Sequence, residues 1–128
     1  MKVYIYLNLI SSISFIIYGF SCLYSKKMKL EFIRFEILPY KNFAGSTQII
    51  SSLLILLGTI DLFFINYTIL NTIFISIGAF ILTIQMLVVI IVRFIKKDSI
   101  YVTIPGILYL IINSLILSNY LSEIIFTI

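Results

Sequence analysis

The chain has 128 residues, of which 62% are hydrophobic and only 11% charged, with a net charge of +4 and no histidine. A water-soluble domain carries charge on roughly a quarter of its residues, so this composition excludes an ordinary soluble fold and points to lipid as the solvent. The missing histidine removes the commonest general base and metal ligand, and the single cysteine, Cys22, has no second cysteine in the chain to pair with.

A helix that crosses the bilayer needs about 20 mostly apolar residues to span about 30 Å of hydrocarbon. Four runs meet that requirement. The first covers residues 3–24 and carries no charge. It is longer than a secretory apolar core, and Lys26 and Lys27 follow it where small residues would mark a cleavage site. It is therefore expected to be a retained helix. The remaining spans are expected at about 43–60, 72–92 and 101–120, within one transmembrane domain covering residues 1–128. Pro105 and Gly106 fall in the first turns of the last span, where proline is tolerated. Residues 61–71, with Asn66 and Asn71 among aromatics, are expected to form a short connection. The expected fold class is all-α, an integral membrane four-helix bundle with a short amphipathic connector between the first two spans.

That connector covers residues 25–42. Within it Met28, Leu30, Phe32, Ile33, Phe35 and Ile37 alternate with Lys29, Glu31, Arg34 and Glu36, and Pro39 ends the pattern. It is too short to cross a bilayer. A short helix lying on the membrane surface, lysines toward anionic headgroups, fits the pattern; a polar loop is the alternative.

Basic residues set the orientation. Lys26, Lys27, Lys29, Arg34 and Lys41 lie between spans one and two, and Arg93, Lys96 and Lys97 between spans three and four, leaving only Lys2 elsewhere. Short cytoplasmic loops carry the Lys/Arg excess. Both basic loops are expected in the cytoplasm and both termini outside, across a cell inner membrane. Two short basic clusters between apolar runs read as topology signals and not as a nucleic-acid surface.

Each span carries a polar or small stripe. These are Asn8, Ser11, Ser14, Tyr18 and Ser21 in the first, and Gly45, Gln48, Ser52 and Thr59 in the second. In the third they are Asn71, Gly78 and Gln85 beside Thr72, Ser76, Ala79 and Thr83, and in the fourth Gly106, Tyr109, Asn113 and Tyr120. Such residues mark helix–helix interfaces in bilayers, where they allow close approach and interhelical hydrogen bonds. Packing is the plain reading. A second reading groups Tyr18, Gln48, Gln85 and Asn113 as one polar layer that binds the head of a lipophilic molecule such as a quinone. No Asp, Glu, Lys or Arg lies deep in a span, which counts against an ion-coupled pump.

The stretch Tyr18-Gly19-Phe20, then Glu31-Phe32-Ile33-Arg34-Phe35, then Leu38-Pro39-Tyr40 and Gly45 opening the second span resembles the DoxX-like family of small bacterial four-helix membrane proteins. Gly45 and Gln48 look like that family's Gly and nearby Glu or Gln. Gln48 stands where many relatives have Glu, and Val92-Arg93 where relatives often have His. The resemblance implies a non-enzymatic accessory or partner-binding subunit, working with another membrane protein or as a homo-oligomer. The alternative is a quinone-binding subunit of a membrane oxidoreductase. A small-molecule transporter comes third, because four-helix multidrug exporters rely on a first-helix Glu and residues 3–24 contain none. No catalytic residue and no metal site is expected.

Overall fold

The computed structural model describes residues 2–35, 38–64, 69–97 and 100–127. Helix α1 runs over Lys2–Tyr24 and α2 over Lys26–Arg34. A 3-10 turn at Leu38–Tyr40 leads into α3, Lys41–Phe64. Helices α4 (Ile69–Ile95) and α5 (Ile100–Thr127) complete the chain. Among the described residues there is no strand. The fold is an all-α bundle, and α1, α3, α4 and α5 are each long and apolar enough to cross a membrane.

The helices outrun the expected spans. The second begins at Lys41 and continues to Phe64, the third covers Ile69–Ile95, and the fourth reaches Thr127. Asp61 and Asn71, expected in a connection, both lie in helix; Asn66 is outside the described residues. The reason is physical. A backbone group without a partner in hydrocarbon costs several kcal/mol, so a chain near a bilayer keeps its helical bonds as long as it can. Polar side chains at a helix end can face headgroups or a neighbour without breaking that helix. The 27 residues of α4 and 28 of α5 extend about 40 Å at 1.5 Å per residue, beyond the hydrocarbon core.

Short connections make successive helices antiparallel neighbours. The pairs α1–α3, α3–α4 and α4–α5 pack along their lengths, while α1 and α5 approach mainly through side chains. Outward faces are apolar: Ile10, Ile13 and Ile17 on α1, Ile50, Leu53 and Leu57 on α3, Ile77, Phe80 and Ile84 on α4, and Leu108, Ile111 and Leu115 on α5 are all exposed. In a bilayer these meet acyl chains. The buried centre combines Phe15, Ile55, Ile75, Ala79, Leu82, Met86, Ile116 and Tyr120 with many small polar residues.

Two glycine contacts set the helix separations. A Cβ on Gly19 would lie 3.0 Å from the Gly45 carbonyl oxygen, and one on Gly45 would lie 3.0 Å from the Gly19 carbonyl oxygen. Between α3 and α4, a Cβ on Gly78 would sit 2.6 Å from the Ser51 carbonyl oxygen. That obstacle is backbone and cannot rotate away. Gly78→Ala should therefore push α4 off α3 and cost about 1–3 kcal/mol, measured by reversible unfolding in lipid or detergent. A variant as stable as the parent would contradict the close approach.

Candidate functional site

The membrane-crossing helices are apolar, so their hydroxyls must find acceptors inside the protein. Most find them on their own helix. Ser52 Oγ donates to the Gln48 carbonyl at 2.7 Å, Thr59 Oγ1 to the Ile55 carbonyl at 2.7 Å and Thr83 Oγ1 to the Ala79 carbonyl at 2.7 Å. These stripe residues serve close packing more than interhelical bonding.

The polar links between helices fall into two regions. One is the α1–α5 seam. Asn8 Nδ2 donates to the Tyr120 hydroxyl at 2.8 Å, Ser11 Oγ donates to Asn113 Oδ1 at 2.7 Å, and the Tyr109 hydroxyl donates to Ser14 Oγ at 2.9 Å. Phe15 and Tyr18 pack their rings against Tyr109, with centroids 5.2 and 5.9 Å away.

The other region is a cavity of about 480 Å³ bounded by α1, α2, α3 and α4. Its walls come from Met28, Phe32 and Phe35 of α2, Phe43 and Ala44 of α3, and Val88, Val89 and Val92 of α4. Met28, Phe32 and Phe35 recur at steps of four and three, so one face of the α2 segment covers the cavity. Glu31 and Arg93 stand at the end nearest the basic loops. Glu31 pairs with Arg34 at 2.8 Å, and the guanidinium carbons of Arg34 and Arg93 lie 4.4 and 5.4 Å from the Phe35 ring centroid. Tyr40, Phe43, Ile84 and Val88 line the cavity and are also exposed. Its opening thus includes surface that faces acyl chains.

The floor is polar. Gln48 is the lining residue furthest along α3 from Lys41, about 10 Å at 1.5 Å per residue. Gln85 and Ile84 are furthest along α4 from its basic end. Gln48 is 7% exposed. Its Oε1 accepts a long contact from the Cys22 thiol at 3.9 Å, and among the described residues nothing accepts from its Nε2. Gln85 Nε2 donates to Thr47 Oγ1, whose own hydrogen is directed at the Phe43 and Ala44 carbonyls at 2.8 and 3.0 Å. Gln85 Oε1 is buried and has no donor. Above this floor, Lys41 Nζ donates to the Cys22 and Leu23 carbonyls at 3.0 and 2.9 Å, closing the end of α1 with a cation.

The four residues expected in one layer are therefore divided. Gln48 and Gln85 share the cavity. Asn113 lies in the α1–α5 seam, thirteen residues into α5 and about 20 Å from its start. That is twice the depth of Gln48. Tyr18 is 42% exposed beside the same seam and does not line the cavity. The buried face of α1 runs instead through Asn8, Ser11, Phe15, Gly19 and Cys22, a regular step of three or four that passes over Tyr18. Cys22 and Thr47 are the site residues that sequence reading missed. Cys22 was read as a small hydrophobe; its place one turn beyond Gly19, on the glycine face, was the available signal. Among the described residues no group of acidic, Cys or His side chains could hold a metal ion.

Because Asn113 belongs to the seam and not to the cavity, Asn113→Leu should lower stability by about 0.6–2 kcal/mol through loss of the Ser11 acceptor. The reactivity of Cys22 toward a small thiol reagent should stay unchanged. A changed Cys22 rate in a folded variant would show that the two regions are coupled. In comparisons with known proteins, no family model, no curated protein and no solved structure matches the chain.

Proposed function

We propose that this chain is a non-catalytic, multi-pass membrane protein that holds a lipophilic molecule with a small uncharged polar head, inserted from the bilayer into the cavity between α1, α2, α3 and α4. The observation that carries the reading is the cavity itself: apolar walls that open toward lipid, ending on two glutamine side chains. Binding sites for small molecules are mostly apolar concavities with a few placed polar groups, and about 480 Å³ is the volume of such a site. An unpaired amide in hydrocarbon costs on the order of several kcal/mol, so an occupant that satisfies Gln48 is favoured over acyl chain alone.

The resemblance to the DoxX-like family supports the role of accessory or partner-binding subunit in a bacterial inner membrane. An isoprenoid quinone belongs to the proposed ligand class, and the aromatic lining of Phe32, Phe35, Tyr40 and Phe43 favours a ring-bearing ligand. A quinone-binding subunit of a membrane oxidoreductase is accordingly the second reading.

Cys22 gives a direct test, because it is the only cysteine and it lines the cavity. In purified protein in lipid nanodiscs, para-heptylphenol should slow modification of Cys22 by methyl methanethiosulfonate several-fold, followed by intact mass. A rate unchanged up to the solubility limit of the phenol would overturn the reading.

The orientation with both basic loops in the cytoplasm rests on the Lys/Arg distribution. In a Cys22→Ala background, cysteines placed at Lys27 or Lys97 should resist a membrane-impermeant maleimide in intact cells, while one at Asn66 should react. The opposite labelling pattern would reverse the topology.

A further inference from the structure

The two glutamines on the cavity floor present unlike groups. Gln48 offers a donor, its Nε2, which no described residue accepts from. Gln85 offers an acceptor, its Oε1, buried without a donor. The direction of the Gln85 amide follows from its neighbour. The Thr47 hydroxyl already directs its hydrogen at the carbonyls one turn back on α3, so only its lone pair is left for Gln85. That turns Gln85 Nε2 toward Thr47 and leaves Oε1 for the cavity. Reversing the amide would set its carbonyl against the Thr47 oxygen, two acceptors face to face.

A ligand head that only accepts, such as a ketone, ether or oxidised quinone carbonyl, satisfies Gln48 and leaves the Gln85 oxygen buried and empty. A head that only donates leaves the Gln48 nitrogen so. A hydroxyl does both with one atom, accepting from Gln48 Nε2 and donating to Gln85 Oε1. Charged heads are disfavoured at this floor, because its two amides and the Cys22 thiol supply no counter-ion and the nearest lining charges, Glu31 and Arg93, lie at the other end. Building on the ligand-binding reading above, we propose that the cavity selects a hydroxyl-headed lipophile, an alkyl or prenyl phenol (a quinol among them) or a lipid alcohol, over carbonyl- or ether-headed analogues.

Protection of Cys22 from methyl methanethiosulfonate reads occupancy of the cavity for each compound. The matched pair is para-heptylphenol and its methyl ether, at equal mole fractions in the nanodisc. One hydrogen bond to a buried acceptor corresponds to about tenfold in apparent affinity, so the phenol should protect at about one tenth of the concentration that the ether needs. In Gln85→Leu the preference should disappear, which separates hydrogen bonding from the added bulk of the methyl group. In Gln48→Leu both compounds should weaken alike. Decanol distinguishes the sources of the hydroxyl: protection equal to that by the phenol assigns it to a lipid alcohol, and much weaker protection assigns it to a phenol or quinol, both consistent with the proposal. Should Gln85→Leu fail to fold, the wild-type ratio and Gln85→Met carry the same comparison. An ether that protects as well as the phenol in the wild type would overturn the hydroxyl selectivity while leaving the binding reading in place. Protection by neither would overturn both.

Discussion

Lipid gives a helix no hydrogen-bond partner and no hydrophobic reason to leave it for a neighbour. In this protein the contacts between helices must come from close backbone approach and from polar groups satisfied inside. Gly19 and Gly45 bring α1 against α3, and Gly78 brings α4 onto the Ser51 carbonyl of α3. The hydroxyls of Ser52, Thr59 and Thr83 add little bulk and turn their hydrogens back to their own helices. Three neighbouring helix pairs then pack tightly. The fourth edge, α1 against α5, lacks such close contact and is joined by Asn8–Tyr120, Ser11–Asn113 and Tyr109–Ser14 instead.

The cavity follows from where the close contacts stop. Gly58 and Gly78 press α3 and α4 together along the half of the bundle remote from the basic loops. Nearer those loops the two helices meet through larger side chains, Thr47 against Gln85, and space opens among Val88, Val89 and Val92. The α2 segment covers that space with Met28, Phe32 and Phe35, while Lys41 ties the start of α3 to the end of α1. The same connector that returns the chain to the membrane therefore also forms a wall of the cavity.

Satisfaction of polar groups differs between the two regions, and that difference separates structure from site. In the seam, Ser11, Ser14, Tyr109 and Asn113 bond one another. On the cavity floor, Gln48 and Gln85 each keep one amide atom without a protein partner. A bundle built only for packing would gain by exchanging them for leucine, since each unmet group carries a desolvation cost. Their retention at the end of an apolar cavity is what directs the argument toward a ligand.

Most of the architecture was legible in the amino-acid sequence. Four apolar runs of bilayer length, two basic interruptions and an amphipathic connector ended by Pro39 are local properties, decided by chain length and hydropathy. Helix ends were less legible, because Asp61 and Asn71 look like loop residues in sequence and yet remain helical to keep their backbone bonds. The partners of the polar residues were decided only by the tertiary structure. In a helix apolar on every side, the lipid face and the bundle face have nearly the same composition, so rotation is set by small close contacts such as Gly19 on Gly45 and not by hydropathy. That rotation turned Cys22 inward and left Tyr18 half outside. Register did the rest: α5 begins at Ile100, so Asn113 meets Ser11 deep in the bundle while Gln48 and Gln85 meet at the cavity floor.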